Sequence, residues 1–332
     1  MKEIFRILVF WLVLYHSAIG QPAATGQTVG IGQPGIGHLR SRSEVDLIPE
    51  SVTYSPSTGR FYISSINRHK IVEIDPAGLV RDFIGSSEHG YLEGLGLKVD
   101  EKRHLLWALS NQRDNNRFVS RVQAFGLLSH RLYHSLELVD TISHLFNDLV
   151  VLPDGRIFVT DTEYGAVYTA APPYRQLRLY CQNLFLPQPN GICSDGKQLF
   201  VATTGHGIVR IDLSTGRTIP FPPVRDSVNA NNIDGMILVK NSLYTVCNGM
   251  PDTTQISVEE FRMDGGHRRI IAERILDRNN ALFHIPTGIT FAHQRLYVLA
   301  NTYLDIYFQH KKSLSGLSDK LEPVTLLIYK VR

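Results

Sequence analysis

Six stretches of this 332-residue chain open alike, and their spacing constrains the fold more than any local motif does. They start at Glu50 (Glu50-Ser51-Val52), Glu93 (Glu93-Gly94-Leu95), Asn147 (Asn147-Asp148-Leu149), Asn190 (Asn190-Gly191-Ile192), Asp234 (Asp234-Gly235-Met236) and Thr287 (Thr287-Gly288-Ile289), 43 to 54 residues apart. Each opening leads into an apolar or alternating run. A turn such as Pro153-Asp154-Gly155-Arg156 follows, and then a second run such as Ile157-Phe158-Val159-Thr160. A period in the forties with several short strands per unit is the signature of a β-propeller. The expected fold is all-β, with six blades around a central channel. Matching positions of successive blades then meet in a ring, however far apart they lie in sequence.

Blade one reads strand by strand. Ser51–Tyr54 is the inner strand, and Arg60–Ser64, Lys70–Ile74 and Leu79–Ile84 follow it, separated by Pro, Asp, Asn and Gly turns. Blade four repeats the pattern from Gly191 to about Ile219. Blade six has two strands, a polar insert from about Gln309 to Lys320, and a third strand from Val324 to Val331. An unpaired strand edge invites aggregation. The missing outer strand is therefore expected from residues 38–46, closing the ring from the N-terminal side. No stretch reads as a convincing helix; Val258-Glu259-Glu260-Phe261 suits a strand as well as a helix start.

The chain carries a formal net charge of +3 with 43% hydrophobic residues, as an ordinary globular protein does. It shows no basic stripe and no basic-aromatic interleaving, which excludes a nucleic-acid binder. Lys2 and Arg6 precede an apolar run from Ile7 to Tyr15 and then Ser17-Ala18-Ile19-Gly20. This is the charged, apolar, small-residue order of a secretory signal peptide. The expected organisation is a signal peptide at 1–20, a Gly/Gln/Pro-rich flexible linker at 21–37 and a propeller at 38–332. The mature protein is expected to be secreted or periplasmic, with no membrane span once the leader is removed. Cys193 and Cys247 fall in interior strands and read as small buried apolar residues; with Cys181 they lack zinc-site spacing.

Strand starts share one end of the channel, so Glu50, Asn147, Asn190 and Asp234 are brought together there. Two carboxylates and two amide carbonyls are an all-oxygen set, which suits a hard cation such as Ca²⁺ rather than zinc or copper. Any one of the four, taken alone, reads as a local turn residue. Four at equivalent places read as a metal site.

In these pieces the chain resembles the six-bladed propellers of the regucalcin/gluconolactonase family (senescence marker protein/gluconolactonase/LRE), and more distantly the paraoxonases and diisopropylfluorophosphatase. The resemblance rests on Ile48-Pro49-Glu50, Asn147-Asp148 before Pro153-Asp154-Gly155-Arg156, Pro189-Asn190-Gly191-Ile192 and Asp234-Gly235-Met236, and covers about residues 45–332. It implies that Glu50, Asn147, Asn190 and Asp234 hold a catalytic divalent metal and that Asp234 also acts as a base. Blade two departs from it, with Glu93-Gly94 where regucalcin-like members have Asn-Asp. The residues that read sugar lactones have no clear counterpart.

With the leader, the resemblance points to an exported hydrolase of small lactones or esters that uses Ca²⁺ or another hard divalent cation; a monomer is expected. The other reading is a non-catalytic propeller that binds a ligand or protein around a structural metal. Glu93 is a second candidate base, or else a solvated turn residue. The loops on the same face place Arg113, Tyr164, His206 and Asn248 at a substrate mouth, with His144 overlooking it.

Overall fold

The computed structural model describes residues 37–114, 116–221, 232–250, 253–310, 313–314 and 316–331. The expected leader (1–20) and all of the linker except Gly37 lie outside the described residues. Among the described residues no helix is long and apolar enough to cross a membrane.

The strands form six four-stranded antiparallel sheets. The inner strands of blades one to six are Pro49–Ser55, Glu93–Asp100, Phe146–Val151, Ile192–Ser194, Ile233–Val239 and Ile289–Ala292. Each touches the inner strand of the next blade, and that of blade six touches that of blade one. The ring therefore closes on itself. Closure comes from the N-terminal side, as expected, but through a shorter strand, Gly37–Arg40. It pairs with Thr325–Lys330 from Gly37 opposite Ile328 to Arg40 opposite Thr325. Gly37 therefore belongs to the propeller.

Strand alternation gives each blade two apolar faces, and the core is six clusters, each between neighbouring blades. Between blades two and three, Trp107 and Leu109 meet Phe146, Leu149 and Val159. Between blades four and five, Cys193 and Phe200 meet Met236, Cys247 and Phe261. Cys193 and Cys247 are buried, no disulfide joins the three cysteines, and burial pushes both buried thiols well above the ordinary range. Ser257–Met263, which includes the ambiguous 258–261 stretch, is a strand.

Among the described residues one α-helix departs from the expectation of none. Leu304–Gln309 forms a short helix ahead of the blade-six insert. Tyr303 and Tyr307 pack with Ile48, Ile66, Leu95 and Leu321 in a seventh apolar cluster, which tertiary packing rather than helix propensity stabilises. His284 Nε2 lies 2.8 Å from Asp305 Oδ1 and ties the helix to the loop before the inner strand of blade six.

A candidate cation-binding ring at the channel

Four inner strands carry the same irregularity. The register slips between Pro49 and Val52, Gly94 and Leu97, Phe146 and Leu149, and Ile233 and Met236. A bulge bends the strand and re-aims a side chain. The residue after each slip begins is Glu50, Leu95, Asn147 and Asp234. Glycine contacts extend the pattern to all six blades. A Cβ on Gly96 would come within 2.6 Å of the Asn147 carbonyl oxygen. On Gly191 it would lie 2.3 Å from the Asp234 oxygen, on Gly235 2.4 Å from the Thr287 oxygen, and on Gly288 3.3 Å from the Glu50 oxygen. Each glycine lets its blade press against the backbone of the next. The residue before each glycine is the ring residue.

The ring is therefore Glu50, Leu95, Asn147, Asn190, Asp234 and Thr287. Glu93, aligned with the others by its Glu-Gly pair, stands two residues early. Leu95 takes the blade-two position and packs into the apolar cluster with Tyr303 and Tyr307. Glu93 is half-buried near Tyr307, where burial and the Glu93 charge raise the phenol to about 12.

Glu50, Asn147, Asn190 and Asp234 line one cavity of ≈ 20 Å³, enough for a single water-sized group. The Asn147 amide turns its NH₂ group away from the ring, and that of Asn190 faces a ring carboxylate. Asn147 Nδ2 donates to Thr162 Oγ1 at 3.0 Å, and Asn190 donates to the Asp234 carboxylate. The buried Asn190 Oδ1 is left with no hydrogen-bond partner. Asn248 Nδ2 donates to Asp234 Oδ2 at 2.8 Å. Burial raises the Asp234 carboxyl to about 7, against the hydrogen bonds from Asn248 and Asn190, and the Asp148 charge adds to the rise. Glu50 is raised well above the carboxylate range by burial, then by Asp234 and Asp148. Two buried acids and an orphaned amide oxygen fit a hard cation by donor type and by charge. Among the described residues no three His, Cys, Asp or Glu side chains gather as a metal-binding group, so such a cation must draw on the amides.

Neighbouring blades set the ring geometry. Asn111 of blade two accepts from Phe146 N and donates to Phe146 O, both at 2.9 Å, and so fixes the backbone just before Asn147. Asp161 accepts from Leu145 N at 2.9 Å and Tyr164 N at 3.1 Å through Oδ1, and lies 2.5 Å from His144 Nδ1 through Oδ2. His144 is thus buried under Tyr164 and Tyr168 rather than lining the mouth. Arg113 Nη2 reaches Glu163 Oε2 at 2.9 Å and Ser143 Oγ at 2.5 Å, an exposed clasp near that loop. His206 is exposed, its ring 5.7 Å from Phe185. The structure thus brings together Glu50, Asn147, Asn190, Asp234 and Asn248. It leaves Glu93, Arg113, Tyr164, His144 and His206 outside that cavity. Asp148, Asn111 and Asp161 were missed in sequence. Asp148 is visible there as the acid beside Asn147, whereas the roles of Asn111 and Asp161 have no local signature.

Known structures share this architecture. A gluconolactonase from Xanthomonas campestris superposes with a TM-score of 0.57 at 16% identity, over 90% of this chain and 91% of that one. A streptogramin B lyase gives 0.54 at 14% identity, over 88% and 96%. A PQQ-bound aldose sugar dehydrogenase from Streptomyces coelicolor gives 0.54 at 10% identity, over 90% and 99%. No protein-family model matches the chain. No curated protein matches it. At these identities the likeness establishes the propeller fold that this chain shares with gluconolactonases and other propeller enzymes.

Proposed function

We propose that this protein is an exported, metal-dependent hydrolase of small lactones or esters, with Ca²⁺ or a similar hard cation held by Glu50, Asn147, Asn190 and Asp234. The observation that carries the proposal is the buried, unpartnered Asn190 Oδ1 beside two buried carboxylates that repel each other. Such a group is costly unless something positive completes it. When bound, the cation supplies Lewis acidity toward the carbonyl of the substrate. Asp234 is the proton acceptor for the attacking water, with Asn248 orienting its carboxylate at 2.8 Å. Asn147, braced by Thr162 and by the Asn111 grip on Phe146, keeps the geometry preorganised. Glu93 lies off the ring and is the lesser candidate for the base. The fold of a gluconolactonase supports the substrate class. The order of residues 1–20 supports export.

One observation favours a second reading. The ring cavity of ≈ 20 Å³ has the size of an ion site, and its lining residue Gly96 adjoins Leu95 of the apolar cluster with Tyr303 and Tyr307. A propeller with a structural cation would look the same at this level. A panel of lactones and aryl esters, assayed with and without chelator, separates the two. Hydrolysis lost on chelation and restored by Ca²⁺ supports the enzyme. Full thermal stabilisation by Ca²⁺ with no turnover of any panel member supports the scaffold.

A further inference from the structure

Two places before each ring residue, at the start of the inner strand or in the loop ahead of it, stand Ile48, Glu93, Leu145, Gln188, Asn232 and Ile285. Ile48, Gln188, Asn232 and Ile285 share a left-handed backbone, with φ of 47, 45, 60 and 54. Asparagine tolerates that conformation, whereas a β-branched side chain is strained in it. Blades one and six place isoleucine there all the same, so an apolar residue is kept against backbone strain. The apolar side extends further. Ile48 packs with Ile66, Leu95, Tyr303, Tyr307 and Leu321, the last three from the stretch between the strands Arg295–Leu299 and Thr325–Lys330. Those six are buried, but Leu145, Leu304, Ile306 and Phe308, packed around them, are only half-buried and leave apolar surface in reach of solvent. Leu145 carries this surface to within two residues of Asn147. Its N–H donates to Asp161 Oδ1 at 2.9 Å, and its carbonyl oxygen accepts from Thr162 N at 3.0 Å. At the other end, the His284–Asp305 contact of 2.8 Å anchors the first turn of the helix. One braced apolar wall thus flanks the ring positions Glu50, Leu95 and Asn147, while Gln188 and Asn232 leave the approach to Asn190 and Asp234 polar.

We infer that the wall made by Leu145, Leu304, Ile306 and Phe308 receives the apolar body of the substrate, so that the preferred substrate is a lactone or ester bearing an alkyl chain or an aryl ring rather than a polyhydroxylated sugar lactone. The inference rests on the hydrolase reading given above and names the substrate class within it. A carbonyl that reaches the ring from the end where the strands start has its substituents among the residues just ahead of the ring. Hydroxyls set against Leu145, Ile306 and Phe308 lose water and gain no partner from those side chains, which is costly. Methylenes set against the same surface gain by leaving water. The polar side, where Asp234 stands, is left to the carbonyl and the attacking water. The wall selects the substrate and takes no part in the bond that breaks.

The test uses the full-length protein with Ca²⁺, a series of γ-lactones with side chains of rising length, and gluconolactone as the polyol. In wild type kcat/KM should rise about two- to fourfold with each added methylene. Gluconolactone should fall about 10²-fold or more below the best alkyl lactone. Ile306→Ser and Phe308→Ser should each flatten the rise through KM while keeping the rate on the shortest lactone, and Phe308→Leu should keep the rise. A merely structural role would lower all lactones alike and leave the slope unchanged. A flat series in wild type, gluconolactone as the best substrate, or an unchanged slope in both serine variants overturns the inference. If wild type hydrolyses no lactone, the hydrolase reading fails on its own. Calorimetry with 2-alkylcyclopentanones, which keep a ring and a chain but have no ester bond to cleave, then decides for the wall. Affinity that rises with chain length in wild type and not in Phe308→Ser upholds it, and affinity independent of chain length refutes it.

Discussion

Blades three, four and five, with blade one, present Asn147, Asn190, Asp234 and Glu50 to the channel; blades two and six present Leu95 and Thr287 at the same backbone position. The scaffold is equivalent on both sides. Bulged inner strands and close glycine contacts recur where the chemistry is polar and where it is not. The two halves differ in what satisfies the side chain. Leu95 is buried in the apolar cluster with Tyr303 and Tyr307, and Thr287 Oγ1 donates to the Glu50 carbonyl oxygen at 2.5 Å, so each is complete within the protein. Asn190 is not: its buried Oδ1 has no hydrogen-bond partner. Two of the six ring positions are structure, and among the other four the Asn190 oxygen is left to call for a ligand.

The widest separation of the halves should come from Asp234→Asn. Loss of the base and of one ligand charge is expected to cut kcat/KM by about 10³-fold or more. Calcium affinity should fall with it. In chelator the melting midpoint should hold or rise, because one of two like buried charges is gone. A variant that keeps its rate would remove Asp234 from the chemistry.

Next in size is the scaffold common to both halves. Gly191→Ala would set a Cβ 2.3 Å from the Asp234 carbonyl oxygen. Thermal unfolding should show a loss of about 3 kcal/mol. Gly196→Ala is the control: its φ is +87 and nothing lies within 4 Å of an added Cβ, so a cost of about 1 kcal/mol is expected. Equal losses would mean that the interblade contact is not what the glycine serves.

Leu95→Ala tests the structural half. It should destabilise the protein by about 2–3 kcal/mol, as a large-to-small change in a packed cluster does, and leave calcium affinity within about threefold. A large affinity change would place blade two in the site after all. A smaller effect is expected from Glu93→Gln, less than about tenfold in kcat at unchanged affinity. A loss near 10²-fold would transfer the base to Glu93.

The smallest effect is a pH dependence at His144. Burial acts to lower its pKa, but the hydrogen bond and charge of Asp161, with Asp140, outweigh it and raise the group. A raised histidine contributes stability that is fully present below its ordinary pKa of about 6.5 and fades as pH rises through the higher folded value. Melting midpoints of wild type should therefore fall from pH 6 upward in that window, and His144→Gln should lose this part of the slope.

Much of the fold was legible because it is periodic. Strand runs, turn residues and a period in the forties carry the six blades, and the need to cover an edge carries the N-terminal closure. The helix at Leu304–Gln309 was not legible. It is too short to hold a periodic stripe, and it packs through an apolar cluster drawn from distant loops. In the site, residues that differ in type but share a register were found, whereas blade two was misaligned. Glu93-Gly94 imitates Asp234-Gly235, and Gly96, the glycine that touches the next blade, lies two residues on. Sequence shows which glycines are present, and only the interblade contact shows which one sets the register. The burial of His144 and the grip of Asn111 on Phe146 depend on contacts between blades that no single repeat encodes.

The central claim is that four oxygens from blades one, three, four and five share one hard cation. A calorimetric titration of Ca²⁺ into chelator-stripped wild type and Asn190→Leu tests it most directly, because Asn190 brings an orphaned oxygen and no charge. The account predicts one ion per wild-type chain and a loss of affinity of about tenfold or more in Asn190→Leu. No binding to wild type, or equal binding to both proteins, would contradict it.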